Sequence, residues 1–149
     1  ISAQPNNPYF HELKGQALLE SGHAAEAVAP LRRAVQLAPS PALIQIMLGQ
    51  ALIDTGNTKN ADEAVHLLRL ALDKEPEAAS AYAQLAMAYG KKGDLAHADL
   101  ASAESAYYRG DYRAATMLAT RAKTKLPIGS PAWVRADDIV TAKAKSKTN

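Results

Sequence analysis

The chain has 149 residues, room for one domain, and 48% hydrophobic against 21% charged residues gives it the composition of a globular protein with a sizeable core. Its 17 basic and 15 acidic residues alternate to a net charge of +2, without the basic stripe that a nucleic-acid footprint needs. No run reaches the roughly 18 apolar residues of a membrane span, and with no Cys, disulfides, thiolate chemistry and cysteine-based zinc sites are excluded. Alanine is by far the commonest residue and aromatic side chains make up only 5% of the chain, a balance that favours helix and lets helix axes approach closely.

After a polar opening from Ile1 to Asn7, Asn7-Pro8 is a strong helix start, with Asn as N-cap and Pro at the first position, where its missing N–H is no loss. This helix is predicted to run to about Ser21, stopped by Gly22. A second, over about Ala24 to Leu37, carries Ala27, Leu31 and Ala34 on one face and is closed by Pro39. Ser40-Pro41 repeats the cap-plus-Pro device and launches a third, with Leu43, Ile44, Met47, Leu48, Ala51 and Leu52 apolar and Gly56 as its stop. The following turn reads as longer, because Asn57 to Asn60 intervenes and Asn60 with Glu63 resembles a capping box. The fourth helix is therefore predicted over about Ala61 to Lys74, with Ala64, Leu67, Leu68 and Ala71, ending before Pro76.

From Ser80 to Asp94, Tyr82, Leu85, Ala86 and Tyr89 recur at helical spacing, and Gly93-Asp94 is a breaker followed at once by a new N-cap. Ala98 is the small residue expected where the next helix returns against this one. Gly110-Asp111 then arrives half a repeat after Gly93, so the helix between these glycines has the grammar of both a second and a first helix of a pair. One helix follows over Tyr112 to Leu126, with Ala115, Ala119 and Ala122. Ser130-Pro131 caps the last, with Trp133, Ala136 and Ile139, before Lys143, Lys145 and Lys147 lead into a polar tail.

The spacings make a repeat. Gly15 to Gly49 and Gly22 to Gly56 are the same interval, and it matches the tetratricopeptide (TPR) period of about 34 residues. Ala27 to Ala64, Leu31 to Leu68, Ala34 to Ala71 and Pro39 to Pro76 all share one longer interval, which places a single three-residue insertion between Gly56 and Ala64. The expected fold is all-α, a TPR-type alpha-alpha superhelix, a right-handed solenoid of about eight antiparallel helices. A single domain over 1–149 is expected, with repeats at about 8–39, 41–76 and 78–109 and helices over 112–126 and 131–145 as a degenerate fourth pair or cap.

Little in the sequence points to catalysis. His11-Glu12-Leu13-Lys14-Gly15 begins like H-E-x-x-H, but Gly15 stands where the second zinc ligand is needed, and the remaining His23, His66 and His97 share no ligand spacing. Asp137 and Asp138 are adjacent and so diverge on a helix. Tyr107-Tyr108-Arg109 reads as packing at a buried edge. No cofactor or metal is expected in this chain, and a protein or peptide partner is expected, with no nucleic acid. In a TPR array the first helix of each pair lines the binding groove, which assigns Glu12, Gln16, Leu19, Ile46, Gln50, Ile53, Met87 and Lys91 to it. The Lys and Asn side chains with which some TPR domains clamp a terminal carboxylate are absent, since Glu12, Gln16, Ile46 and Gln50 stand there. A mixed, partly apolar surface suits an extended peptide or a protein face.

The phrases from Asn7 to Gly22, from Ala86 to Asp94 and from Leu126 to Ile139 resemble more than a generic repeat. They are similar to the C-terminal TPR domain of bacterial periplasmic zinc metallopeptidases related to the beta-barrel assembly-enhancing protease, over about Pro5 to Val140. The resemblance implies an envelope quality-control peptidase whose repeats pack on a protease domain and engage substrate or outer-membrane assembly partners. Zinc is implied only for that catalytic domain. The chain begins with Ile and shows neither a signal peptide nor H-E-x-x-H, so it is expected to be part of a longer protein. It is thereby expected in the periplasm, with a free-standing TPR adaptor or chaperone, which could be cytoplasmic, as the alternative.

Overall fold

The structure, a computed structural model, describes residues 6–38 and 41–146, with side chains through residue 142. Readings that fall on the opening five residues, the Pro39 stop, the Ser40 cap and the terminal lysines lie outside the described residues. Eight helices form among those described: α1 (Pro8–Glu20), α2 (Ala24–Leu37), α3 (Ala42–Asp54), α4 (Thr58–Lys74), α5 (Ala79–Lys91), α6 (Leu95–Tyr108), α7 (Tyr112–Lys123) and α8 (Pro131–Ser146). They divide into two compact units, Ile1–Pro76 and Glu77–Asn149.

The turns within pairs are alike because the same backbone problem recurs. Gly22, Gly56, Gly93 and Gly110 each take a positive φ, between 75° and 83°, which spares a Cβ clash at the residue after a helix end. At Gly22, Gly93 and Gly110 the orphan carbonyls are met in the Schellman pattern, as in His23 N–H to Leu18 O at 2.8 Å and Gly22 N–H to Leu19 O at 3.1 Å. At Gly56 the Thr55 hydroxyl instead donates to Leu52 O at 2.6 Å.

Two predicted starts move. The fourth helix begins at Thr58, three residues before the expected Ala61: Asn57, directly after Gly56, caps it by accepting from Lys59 N–H at 2.9 Å. The three inserted residues are thus helical and leave the turn as short as its counterparts, while Asn60, read as a cap, donates from its amide to Thr55 Oγ1 at 2.9 Å. The third helix starts at Ala42, with Pro41 extended at the cap position and its carbonyl accepting from Ile44 N–H at 3.1 Å. The seventh helix ends at Lys123, short of the predicted Leu126, in a tightened turn where Lys125 N–H reaches Ala122 O at 3.0 Å. Leu126, directly before Pro127, is disfavoured from helix.

In the first unit each pair closes on a glycine. A Cβ on Gly49 would lie 3.0 Å from Leu68 Cγ, and one on Gly15 would meet the Leu31 isobutyl group closer still. Leu31 and Leu68 are both fully buried, as are Ala27, Ala34, Ala64 and Ala71 around them. Pro30 sits inside α2 and is buried; it lacks the N–H for the Glu26 carbonyl, and Glu26 is exposed, so water can reach that end.

In the second unit α6 plays two parts. It packs against α5 and α7, and also alongside α8, as α1 does alongside α3. Ala103, Ala115, Ala119, Ala122 and Pro127 follow one another at the same spacings as Gly15, Ala27, Leu31, Ala34 and Pro39, and the four alanines are at most 1% exposed. Ala98, the expected close contact with the preceding helix, is only half-buried. Ala103 and the α7 alanines thus give the α6–α7 contact the small residues of the earlier pairs, while α5 also packs on α6. The core of this unit joins Leu100, Ala103, Ala106, Ala115, Ala119, Ala122, Leu126, Ala136 and Ile139, with Trp133 packed against it.

Candidate functional site

The residues assigned to the groove separate on burial. Glu12, Gln16 and Leu19 on α1 and Gln50 on α3 are half-buried. Gln16 donates to Glu20 at 2.9 Å. Ile46 and Ile53 are 8% and 2% exposed, which corrects their assignment: α3 is buried on nearly every face, so its isoleucines belong to the core and not to an open groove. Leu43, one of the apolar residues of α3, is 60% exposed, and Tyr9, its counterpart one repeat earlier on the adjacent α1, is 63% exposed. Tyr9, Leu43 and the half-buried Glu12, Gln16, Leu19 and Gln50 thus keep some exposure on the first helices of this unit. In the second unit Met87 and Lys91 on α5 are exposed.

His11 and Glu12 lie on α1, but Gly15, where a second zinc ligand would stand, faces Leu31 in the α1–α2 contact. Among the described residues no group of three or more His, Asp or Glu could hold a metal ion, and no helix is long and apolar enough to cross a membrane.

Sequence reading missed the polar network of the second unit. Because α6 is covered on several sides, its Asp99, Glu104 and Ser105 are buried, at 7%, 9% and 2% exposure, and each must find a partner. Ser105 donates to Ala79 O on α5 at 2.9 Å. The Tyr82 hydroxyl donates to the Glu104 carboxylate, and burial together with that carboxylate pushes the hydroxyl's pKa well above the usual tyrosine value. Tyr82 stacks on Tyr108 at 5.5 Å between ring centroids, and Arg135 of α8 donates to Tyr108 Oη at 3.1 Å with its Nε 3.7 Å from Glu104. Burial works against the Arg135 charge, but Glu104 and the two tyrosines more than restore it. Glu104 among the small residues of α6 was the one visible signal, yet its partners Tyr82 and Arg135 lie on other helices, beyond the reach of any local pattern.

Asp99 is held by Arg121 at 2.7 Å and Lys125 at 2.6 Å, from α7 and the turn that follows it. Burial alone would raise the Asp99 pKa, but hydrogen bonds from these two cations outweigh it and hold the carboxyl below its ordinary value. A depressed folded-state pKa contributes stability that is complete above the unfolded value, near ~3.9, and is lost as pH falls through the folded value. Asp99→Asn should therefore flatten the fall in urea midpoint below about pH 4 relative to the parent chain. Parallel acid limbs for the two proteins would exclude this role. Lys123 completes the α7–α8 contact, 2.7 Å from Asp137 and 4.7 Å from the Trp133 ring centroid.

Helices paired at the TPR period, with glycine-closed turns and small-residue contacts, define an all-α fold of the TPR type. The chain is similar in fold to the crystal structure of MamA, with a TM-score of 0.69 and 20% identity over 97% of this chain and 84% of that one. No protein-family model and no curated protein matches its sequence.

Proposed function

We propose that this chain is the non-catalytic interaction domain of a zinc-dependent envelope metallopeptidase, working in the periplasm. In this reading it packs on the protease domain and binds substrate or outer-membrane assembly partners. The sequence resemblance supports the parent enzyme and compartment. The observation that carries the interaction role is the exposure of Tyr9 and Leu43 at equivalent positions of adjacent first helices, where each places apolar area at the disposal of a partner on a rigid helix. A preformed surface of this kind binds with little ordering cost.

The test is capture from envelope extract by the chain, by its Leu43→Asp variant, and by a longer polypeptide that includes what the gene encodes upstream. The chain and the longer polypeptide should retain the same envelope proteins. Leu43→Asp should weaken that retention by about tenfold, the effect of losing a buried apolar anchor. Undiminished capture by Leu43→Asp would refute the role of this surface. A gene that starts near Ile1 would refute the metallopeptidase parentage in favour of a free-standing adaptor.

A further inference from the structure

Ala103 stands on α6 where Gly49 stands on α3, so His97, Glu104 and Tyr108 correspond to Leu43, Gln50 and Asp54. On α3 these three are the residues left open: Leu43 is 60% exposed, Asp54 is exposed and Gln50 is half-buried, while the other ten are buried. Positions i, i+7 and i+11 fall within roughly 40° of one another at about 100° per residue, so the three form one stripe. On α6 the equivalent stripe is covered by α5. The Tyr89 ring packs on His97 at 5.2 Å between centroids, and Tyr82 stacks on Tyr108 while its hydroxyl donates to Glu104. Ser105 donates to Ala79 O, which sets the direction: α5 runs antiparallel to α6 with its N-terminal end beside Tyr108.

We infer that the stripe of Leu43, Gln50 and Asp54 is a seat for a partner helix that carries tyrosines at i and i+7 and docks antiparallel to α3, as α5 docks on α6. The inference rests on the interaction role proposed for Leu43 and adds the chemistry of the occupant. The second ring of such a helix covers Leu43, as Tyr89 covers His97. The first donates its hydroxyl to the Gln50 amide oxygen, which stands where the Glu104 carboxylate accepts from Tyr82. The N-terminal end of the helix then lies beside Asp54, and an exposed carboxylate suits the positive pole and the unsatisfied N–H groups found there. The opposite direction sets helix carbonyls against Asp54 and is disfavoured for the same reason.

The probe is α5 as a separate peptide, residues 78–92, acetylated and held helical by a lactam between Lys91 and a glutamate introduced by Met87→Glu, two exposed positions one turn apart. Added to the isotope-labelled chain, it should shift the amide resonances of Leu43, Gln50 and Asp54. A peptide with Tyr82→Ala and Tyr89→Ala should bind at least about tenfold more weakly, as should the chain variant Leu43→Asp. Asp54→Asn, a near-isosteric change at an exposed position, should weaken binding by about two- to fivefold. No binding at about 1 mM peptide, shifts confined to α5 and α6, or equal binding by Leu43→Asp overturns the inference. If envelope capture still depends on Leu43 in that event, the interaction role stands and only the helical occupant falls.

Discussion

Leu68→Ala should lower the stability of the chain by about 2–5 kcal/mol, the range for truncating a fully buried leucine. Leu68 is 0% exposed, and its isobutyl group fills the space that Gly49 leaves by having no side chain. The contact is one-sided. Removing the leucine leaves a cavity bounded on one side by bare helix backbone, which cannot lean inward to close it. Leu70, two residues on and 38% exposed, supplies the control: its truncation should cost less than about 1 kcal/mol, since much of the site already meets water. Urea denaturation followed by far-UV circular dichroism reads both variants. Equal midpoints for Leu68→Ala and Leu70→Ala would mean that the glycine-closed contact does not hold α3 to α4.

The second large effect separates the two parts played by α6. Ala103→Leu should cost about 1–3 kcal/mol by overpacking, because Ala103 is 0% exposed and stands where Gly15 and Gly49 stand in the earlier pairs. Ala98→Leu, at a half-buried position, should cost clearly less. Trp133 packs against the same core and is the only tryptophan, so its fluorescence during denaturation reports this unit. The reverse order of costs would mean that Ala103 does not close the α6–α7 contact as Gly15 and Gly49 close the earlier pairs.

The helices themselves were legible, for local reasons. A glycine with positive φ followed by Asn or Asp is a short-range device, and at Gly56-Asn57, Gly93-Asp94 and Gly110-Asp111 it stops one helix and caps the next within two residues. The device is ambiguous once: Asn57 and Asn60 are both competent caps, and propensity alone does not choose between them. Asn57 wins by following Gly56 directly, and three residues that looked like a loop become the first turn of α4.

The groove was less legible, because facing is a tertiary property. Ile46 and Gln50 sit four apart on α3 and belong to one stripe by periodicity, yet Ile46 is buried and Gln50 half-buried. How much of a stripe survives as surface depends on how many neighbours the helix has. α3 has three within its unit, and only positions such as Leu43 escape them.

By itself the sequence determined an all-helical chain of the TPR type: its period, its glycine turns and its alanine-lined contacts are all set by residues within one or two helices of each other. Only the tertiary structure decided that the chain forms two compact units, that α6 serves α5, α7 and α8 at once, and that Glu104 and Asp99 find partners on other helices. The reason is physical. Helix propensity and capping act over a few residues of backbone, whereas burial and charge pairing depend on which helices meet, and that is settled only when competing contacts across the whole unit are compared at close packing.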